Sequence, residues 1–168
     1  MAEVIGLTGQ TGAGKSTVRK LLKAKGAAVI DADFVAHEVA DNSLSCLTDI
    51  VEHFSCMVLD EKGKLNRRAL GRIVFSDRKK LALLNKIMFP YIVSAIKGQV
   101  TAYEQAGAQI IVIDGATLIE SGCAKMCSVL VSVTADEETR LTRIIHRDGI
   151  SKRDAVRRVS AQNPEEFY

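Results

Sequence analysis

Gly9-Gln10-Thr11-Gly12-Ala13-Gly14-Lys15-Ser16-Thr17 is the stretch that decides how this chain folds. It fits the pattern G-x-x-x-x-G-K-[ST], and its flanks place it between a strand and a helix. Before it, Val4-Ile5-Gly6-Leu7-Thr8 is a short apolar run suited to a buried strand. After it, Val18, Leu21 and Leu22 recur at helical spacing until Gly26. Glycines let successive backbone N–H groups curl around phosphate oxygens with no Cβ in the way, and the helix N-terminus adds the positive end of its dipole. Gly12, Ala13, Gly14, Lys15, Ser16 and Thr17 are therefore the expected phosphate-binding residues. Lys15 is placed to reach the β- and γ-phosphates of a nucleoside triphosphate, and the Ser16 hydroxyl is a candidate ligand for Mg²⁺.

Working outward, strand and helix alternate at both ends of the chain. Ala27-Ala28-Val29-Ile30 reads as a second short strand that delivers Asp31-Ala32-Asp33 at its carboxyl end. From Phe34 to about Gln105 the pattern is helical: Leu44, Leu47, Ile50, Val51 and Phe54 mark one amphipathic helix, with a turn near Asp60-Glu61-Lys62-Gly63. Leu70, Ile73, Val74 and then Leu81, Leu84, Ile87 mark two more helices, and Phe89-Pro90 is expected to break that run and open another through Ile92, Ile96 and Val100. Strands return with Ile110-Ile111-Val112-Ile113, followed directly by Asp114, and with Ser128 to Val133. Thr134-Ala135-Asp136-Glu137 reads as a capping box opening a helix toward His146, and a second helix follows Gly149. The order implies an α/β protein with a parallel sheet whose ligands bind at the carboxyl ends of the strands. The expected organisation is a core of residues 1–34 and 107–168 with a helical insert at 35–106.

Bulk composition fits that class. With 168 residues, 47% hydrophobic and 26% charged, the chain reads as an ordinary globular protein of one domain or one domain with an inserted lobe. A net charge of +3 suits anionic small molecules and is too weak to argue for nucleic acid. No signal-peptide pattern or membrane-spanning run of ~20 residues is read. Cys46, Cys56, Cys123 and Cys127 lack paired C-x-x-C spacing and read as plain thiols of a reducing, cytoplasmic setting. His37, His53 and His146 fall in expected helices and read as structural or surface residues.

Three further features carry chemistry. Asp31 and Asp33 stand at the end of the second strand, where a carboxylate can take the proton of an attacking hydroxyl or help hold Mg²⁺; the alternative is a solvated turn or, for Asp33, the N-cap of the helical segment it precedes. Asp114 ends an apolar strand in the manner of a Walker B acid, a ligand of Mg²⁺ directly or through water. Arg140, Arg143 and Arg147 recur at spacings of three and four, so they share a helical face that either meets solvent or closes over a triphosphate. Arg67 and Arg68, at the start of an insert helix, could meet a substrate phosphate or water.

Taken together these segments resemble the dephospho-coenzyme A kinase family. The matching pieces are Ile5-Gly6-Leu7-Thr8-Gly9, Val29-Ile30-Asp31-Ala32-Asp33, Leu65-Asn66-Arg67-Arg68-Ala69-Leu70, Val74-Phe75-Ser76-Asp77, Asp114 to Gly122, Arg143 through Arg147-Asp148-Gly149-Ile150-Ser151, and Ala161-Gln162. The resemblance implies a three-layer fold like the nucleotide monophosphate kinases: a P-loop core, a helical substrate-binding insert and a lid at about 139–151. It implies transfer of the γ-phosphoryl group of ATP, with Mg²⁺, to the ribose 3′-hydroxyl of dephospho-coenzyme A. The catalytic set it implies is Asp33, Lys15, Arg143 and Arg147, with Asp33 as base. Thr8, Asp33, Arg68 and Asp114 fall to the substrate, and Ser16 and Asp114 to the metal. Two departures stand out: the family often has His-Pro where this chain has Phe89-Pro90, and its members continue past the position of Tyr168 into a last strand and helix.

Rival readings are another P-loop kinase acting on a nucleoside or small metabolite, a non-catalytic ATP-binding protein, and a GTP-binding switch. The switch would need an N-K-x-D guanine reader, and Asn85-Lys86-Ile87-Met88 ends in Met inside an expected helix.

Overall fold

The computed structural model describes residues 1–168. In chain order the elements are β1 (Glu3–Gly9), α1 (Lys15–Ala24), β2 (Ala28–Asp31), α2 (Ala32–Asn42), α3 (Leu44–Phe54), α4 (Arg67–Val74), α5 (Arg78–Gln105), β3 (Ile110–Asp114), α6 (Leu118–Ser121), β4 (Val129–Val133), α7 (Glu137–Asp148) and α8 (Lys152–Ser160). Contacts divide them into two units, Met1–Asp31 with Val100–Tyr168, and Ala32–Gln99.

The first unit is built on a parallel sheet of order β2-β3-β1-β4. Ile111, Val112 and Ile113 of β3 are fully buried, as a continuous apolar run requires when helices cover both faces of a parallel sheet. Leu7, Val112 and Ala27 form a cluster with Val18 and Leu22 of α1, together with Ile5, Val29 and Val133. Alternation sends Gly6 to the opposite face, where a Cβ would meet Leu130 Cδ1 at 2.7 Å and lie 3.5 Å from Leu118 Cδ1 of α6. β4 is an edge strand, and its Val129, Leu130 and Val131 are partly exposed. The register matters most at the carboxyl edge: Leu7 pairs with Asp114 and Asp114 with Asp31, so two carboxylates stand on one rung beside the loop that follows Gly9.

α7 and α8 form a helical hairpin on the same unit. Ile144, Ala155 and Val159 make its core, joined by Leu141, Ile145 and Ile150. Gly149, in the left-handed region at φ 62°, ends α7, and the Ser151 hydroxyl caps α8 by accepting the Asp154 N–H. The cap of α7 is Asp136, which accepts from the Thr139 N–H at 2.8 Å, and not Thr134 as the capping-box reading expects. A box starting at Thr134 would need Glu137 in the third helical position, yet Glu137 is the first. Asp148 ties the hairpin together, accepting from Arg147 Nε at 2.7 Å, Arg147 Nη2 at 3.0 Å and Arg158 Nη1 at 2.6 Å. The Arg147 hydrogen bond, and then the charges of Arg147 and Arg158, hold the Asp148 carboxyl below the usual carboxylate range.

In the second unit, Val35 and Val39 of α2, Cys46, Ile50 and Phe54 of α3, Leu70 and Val74 of α4, and Leu84, Ile92 and Ile96 of α5 are buried. Tyr91 donates to Asp49 Oδ2 at 2.5 Å, and that bond pushes the phenol up to about 12. The break expected at Phe89-Pro90 does not occur: α5 runs unbroken for 28 residues with Pro90 inside it. An interior proline costs roughly 3 kcal/mol through its missing N–H and ring clash. Pro90 is exposed, and buried Leu84 on one side with Ile92 and Ile96 on the other hold both halves of the helix in place. One 18-residue window of α5 reaches a mean hydropathy of 1.2, enough by length and composition alone for a membrane span. Lys86, Pro90 and Lys97 interrupt the run and hide that property from a sequence reading.

Two stability outcomes follow from these contacts. Gly9 has φ 139°, and a Cβ there would lie 2.3 Å from the Val133 carbonyl oxygen, whereas Gly26, at φ 94°, faces open space. Gly9→Ala is expected to lower stability by roughly 1–3 kcal/mol more than Gly26→Ala, which carries the left-handed strain without the clash; urea unfolding of both variants checks this. Because the Asp148 carboxyl is depressed in the folded chain, its contribution is present above the unfolded value near ~3.9 and disappears as pH falls through the folded value. Urea midpoints measured between neutral and acid pH should therefore fall less steeply in Asp148→Asn than in the parent chain.

Candidate functional site

The loop between β1 and α1 has the form that anion binding requires. Gly12 and Gly14 take φ values of 80° and 108°, open to glycine and strained for other residues. Gly14 is the N-cap of α1 and provides no side chain, so nothing on that residue competes for the first N–H groups of the helix. Ser16 and Thr17 are exposed in the first turn. Apart from its chain neighbours, the atom that a Cβ built on Gly14 would meet is Arg143 Nη1, at 3.5 Å, which bounds the space over the loop with a guanidinium. Arg143 Nη1 donates to the carbonyls of Gly12 at 3.2 Å and Ala13 at 3.1 Å, leaving Nε and Nη2 for an anion.

Below the loop lies a set of two cations and two carboxylates. Lys15 Nζ pairs with Asp114 Oδ1, and Arg19 pairs with Asp31 and, at 3.0 Å, with Asp114 Oδ2. Asp114 is 2% exposed, so its charge needs a cationic partner, and it has two. Lys15 and Arg19 lie four residues apart on α1 and so share a face, while β2 and β3 bring the carboxylates to one rung. Arg19 is absent from the sequence-derived site, although the four-residue spacing from Lys15 was there to be read. Ser16 Oγ with carboxylate oxygens of this set is a donor chemistry that fits Mg²⁺, a hard cation that takes one or two carboxylates and draws its remaining ligands from water and phosphate.

The arginine stripe divides. Arg140 is 5% exposed and turned into the protein: its Nε donates to the Thr11 carbonyl at 3.2 Å and its Nη1 to Gln10 Oε1. Arg143 is on the loop. Arg147 is not brought to the loop; it is exposed and held by its neighbour Asp148. Seven residues at 1.5 Å each put Arg147 about 10 Å along the helix from Arg140, so a shared face does not mean a shared ligand. Gln10, Gln162 and Asn163 also belong to the loop's surroundings: Gln162 Oε1 accepts from the Thr11 N–H, and Gln10 Nε2 donates to the Asn163 carbonyl, both at 2.9 Å. Gln162 falls in the Ala161-Gln162 segment of the family resemblance, whereas Gln10 sits at a variable position of the loop motif and Asn163 in no quoted segment.

Other expected site residues are more scattered. Thr8 is fully buried near the end of β1, and its Oγ1 has no hydrogen-bond partner in the protein. Asp33 is exposed in the first turn of α2, two residues beyond β2, and belongs to the helical unit. In that same unit Arg67 is committed to α2 through the His37 carbonyl at 2.8 Å and Asp41 Oδ2 at 2.8 Å, whereas Arg68 is exposed. The four cysteines are free thiols, and burial pushes Cys127 up to about 11, which makes it a poor nucleophile.

Comparison with known proteins bears on this arrangement. The sequence model of the dephospho-CoA kinase family (CoaE) matches residues 3–167. A dephospho-CoA kinase of Arabidopsis thaliana is 42% identical over 161 residues, covering 96% of this chain and 69% of the relative. One from Lactobacillus johnsonii is 34% identical over 164 residues, covering 98% and 83%. Among solved structures, a Thermus thermophilus protein superposes with a TM-score of 0.81 at 32% identity, covering 99% of this chain and 83% of that one. The dephospho-CoA kinase of Campylobacter jejuni gives 0.65 at 26% identity, with 96% and 81% covered. A match that runs from the first strand to the end of the chain, in sequence and in fold, means that this chain belongs to the dephospho-CoA kinase family.

Proposed function

We propose that this chain phosphorylates the ribose 3′-hydroxyl of dephospho-CoA with ATP, the last step of coenzyme A biosynthesis, using the loop Gly9–Thr17 to hold the donor. The observation that carries the reading is the loop itself: left-handed Gly12 and Gly14, a helix start with no side-chain cap, and Lys15 and Arg143 on either side. Family membership names the reaction, and it disfavours a nucleoside kinase, a GTP-binding switch or a non-catalytic ATP-binding protein. A kinase fold of this kind is consistent with a cytoplasmic setting.

Each residue then has a task. The backbone N–H groups of Gly12 to Thr17 bind the phosphate oxygens. Lys15, whose flexible stem now reaches Asp114, turns to the β- and γ-phosphates when they arrive, and Arg143 offers its open N–H groups to the transferring phosphoryl group. Ser16 and Asp114 would hold Mg²⁺, which when bound would supply charge stabilisation for the triphosphate. Thr8, whose hydroxyl has no partner in the protein, is assigned to the acceptor side by the family resemblance. Asp33 orients the 3′-hydroxyl and takes its proton, a role worth ~10²–10⁴ in rate. Arg68, exposed at the start of α4, is the insert residue assigned to an acceptor phosphate. Residues 139–151 act as a lid, and Arg147 would have to leave Asp148 to join the site.

A coupled assay with ATP, Mg²⁺ and dephospho-CoA tests the reading, with a panel of nucleosides and nucleotides as competing acceptors; preferred turnover of any of those would reject it. Asp33→Asn should lower kcat by ~10²–10⁴ and leave ATP binding nearly intact. Near-normal turnover in that variant would remove Asp33 from the base role.

A further inference from the structure

The first half of the phosphate-binding loop is held by a ring of bonds that touches no phosphate position. Thr11 sits at its centre. Its N–H donates to Gln162 Oε1 at 2.9 Å, and its carbonyl accepts from Arg140 Nε at 3.2 Å. Gln10, one residue earlier, accepts from Arg140 Nη1 and donates from Nε2 to the Asn163 carbonyl at 2.9 Å. Both peptide planes flanking Thr11 are thereby fixed by side chains from residues far along the chain, at the start of α7 and just after α8. A flip of either plane would re-aim the neighbouring N–H groups on which phosphate binding depends.

Arg140 is a costly choice for a structural prop. It is 5% exposed, its partners are an amide oxygen and a carbonyl rather than a carboxylate, and its Nη2 is buried with no partner in the protein. Desolvating a cation without a counter-charge disfavours burial, and an apolar side chain would fill the space with less strain. What an apolar side chain cannot do is donate in two directions at once to the backbone of Thr11 and the side chain of Gln10. Room is also tight: a Cβ on Gly12 would lie 2.7 Å from the Arg140 carbonyl oxygen and 3.0 Å from its Cα. The loop therefore lies directly on the backbone of α7 at the residue whose side chain clamps it.

We propose that Arg140 and Gln162 are positioning residues for the reaction: they lock the Thr11 peptide planes and so hold the loop in its phosphate-binding shape before ATP arrives. The proposal rests on the reading that this loop binds ATP. The loop contains left-handed Gly12 and Gly14, and an unclamped glycine-rich segment samples many conformations that binding would have to gather in. Removing a clamp should therefore weaken ATP binding selectively, with the acceptor much less affected.

Gln162→Leu, Arg140→Met and Arg140→Lys separate this from a plain stability role. The measurements are steady-state kinetics with each substrate varied, ATP binding by calorimetry, thermal unfolding, and hydrogen exchange at the Thr11 amide. Gln162→Leu should raise the Kd and KM for ATP roughly tenfold, leave KM for dephospho-CoA within about twofold, and speed exchange at Thr11. Arg140→Met should weaken ATP at least as much, and Arg140→Lys, which keeps the charge and one donor direction, should recover part of the loss. Unchanged ATP affinity in Gln162→Leu, an equal rise in both KM values, or Arg140→Lys no better than Arg140→Met would overturn the proposal. Should Arg140→Met fail to fold, Gln162→Leu, altered outside the helices, decides alone. A parent chain that binds no ATP would overturn the reading of the loop and the proposal with it. A parent that binds ATP while the variants match it would overturn the proposal only.

Discussion

Between the end of β4 and the first turns of α7 there is no room for a side chain on the phosphate-binding loop, and the rest of the core is arranged around that contact. Gly9 meets the backbone of Val133 and Gly12 the backbone of Arg140. The two glycines are thus demanded twice, once by the curl that aims N–H groups at phosphate and once by packing. The parallel register sets Gly9 opposite Val133, and α7 starts only a few residues later under its Asp136 cap. That short connection brings Arg140 and Arg143, one turn apart, to the two halves of the loop. The site is a consequence of how the central strand pairs with its edge neighbour.

The charges at the carboxyl edge follow from the same geometry. Asp114 is buried beside the loop because β3 ends there, and a buried carboxylate needs cations. α1 supplies two, at positions four apart, and they behave differently. Arg19 bridges Asp31 and Asp114 through its Nη1 and so ties the two carboxylates together. Lys15 is a point charge on a flexible stem, suited to exchanging a carboxylate for a phosphate. If Lys15 turned to a triphosphate as proposed, Arg19 on Asp114 would keep the acid from being stranded in the interior.

Much of this was legible in the residues. The four strands, the loop and most helices announce themselves through apolar runs, helical spacing and glycine positions, because those signals are local. Pro90 misled for a physical reason: a helix break is a local cost, whereas the burial of Leu84, Ile92 and Ile96 that overrides it belongs to the folded unit. Thr134 and Asp136 were both acceptable caps, and only the position of the first helical turn chose between them. Gln10, Gln162 and Asn163 could not be read as a set, since nothing in a chain announces which amide will meet which across about 150 positions.

The arginines of α7 show why a stripe on a helix is a weaker statement than it looks. Spacing of three and four residues fixes direction around the axis and leaves depth and height open. Arg140, near the capped end, lies under the loop and is buried; Arg143, one turn on, reaches the loop's carbonyls from outside; Arg147, another turn on, has cleared the loop and finds Asp148. One face therefore carries a clamp, a candidate phosphate contact and a tie to α8. The rise of the helix decides which is which, and a lid motion that changed height rather than direction is what would bring the third arginine into the work of the second.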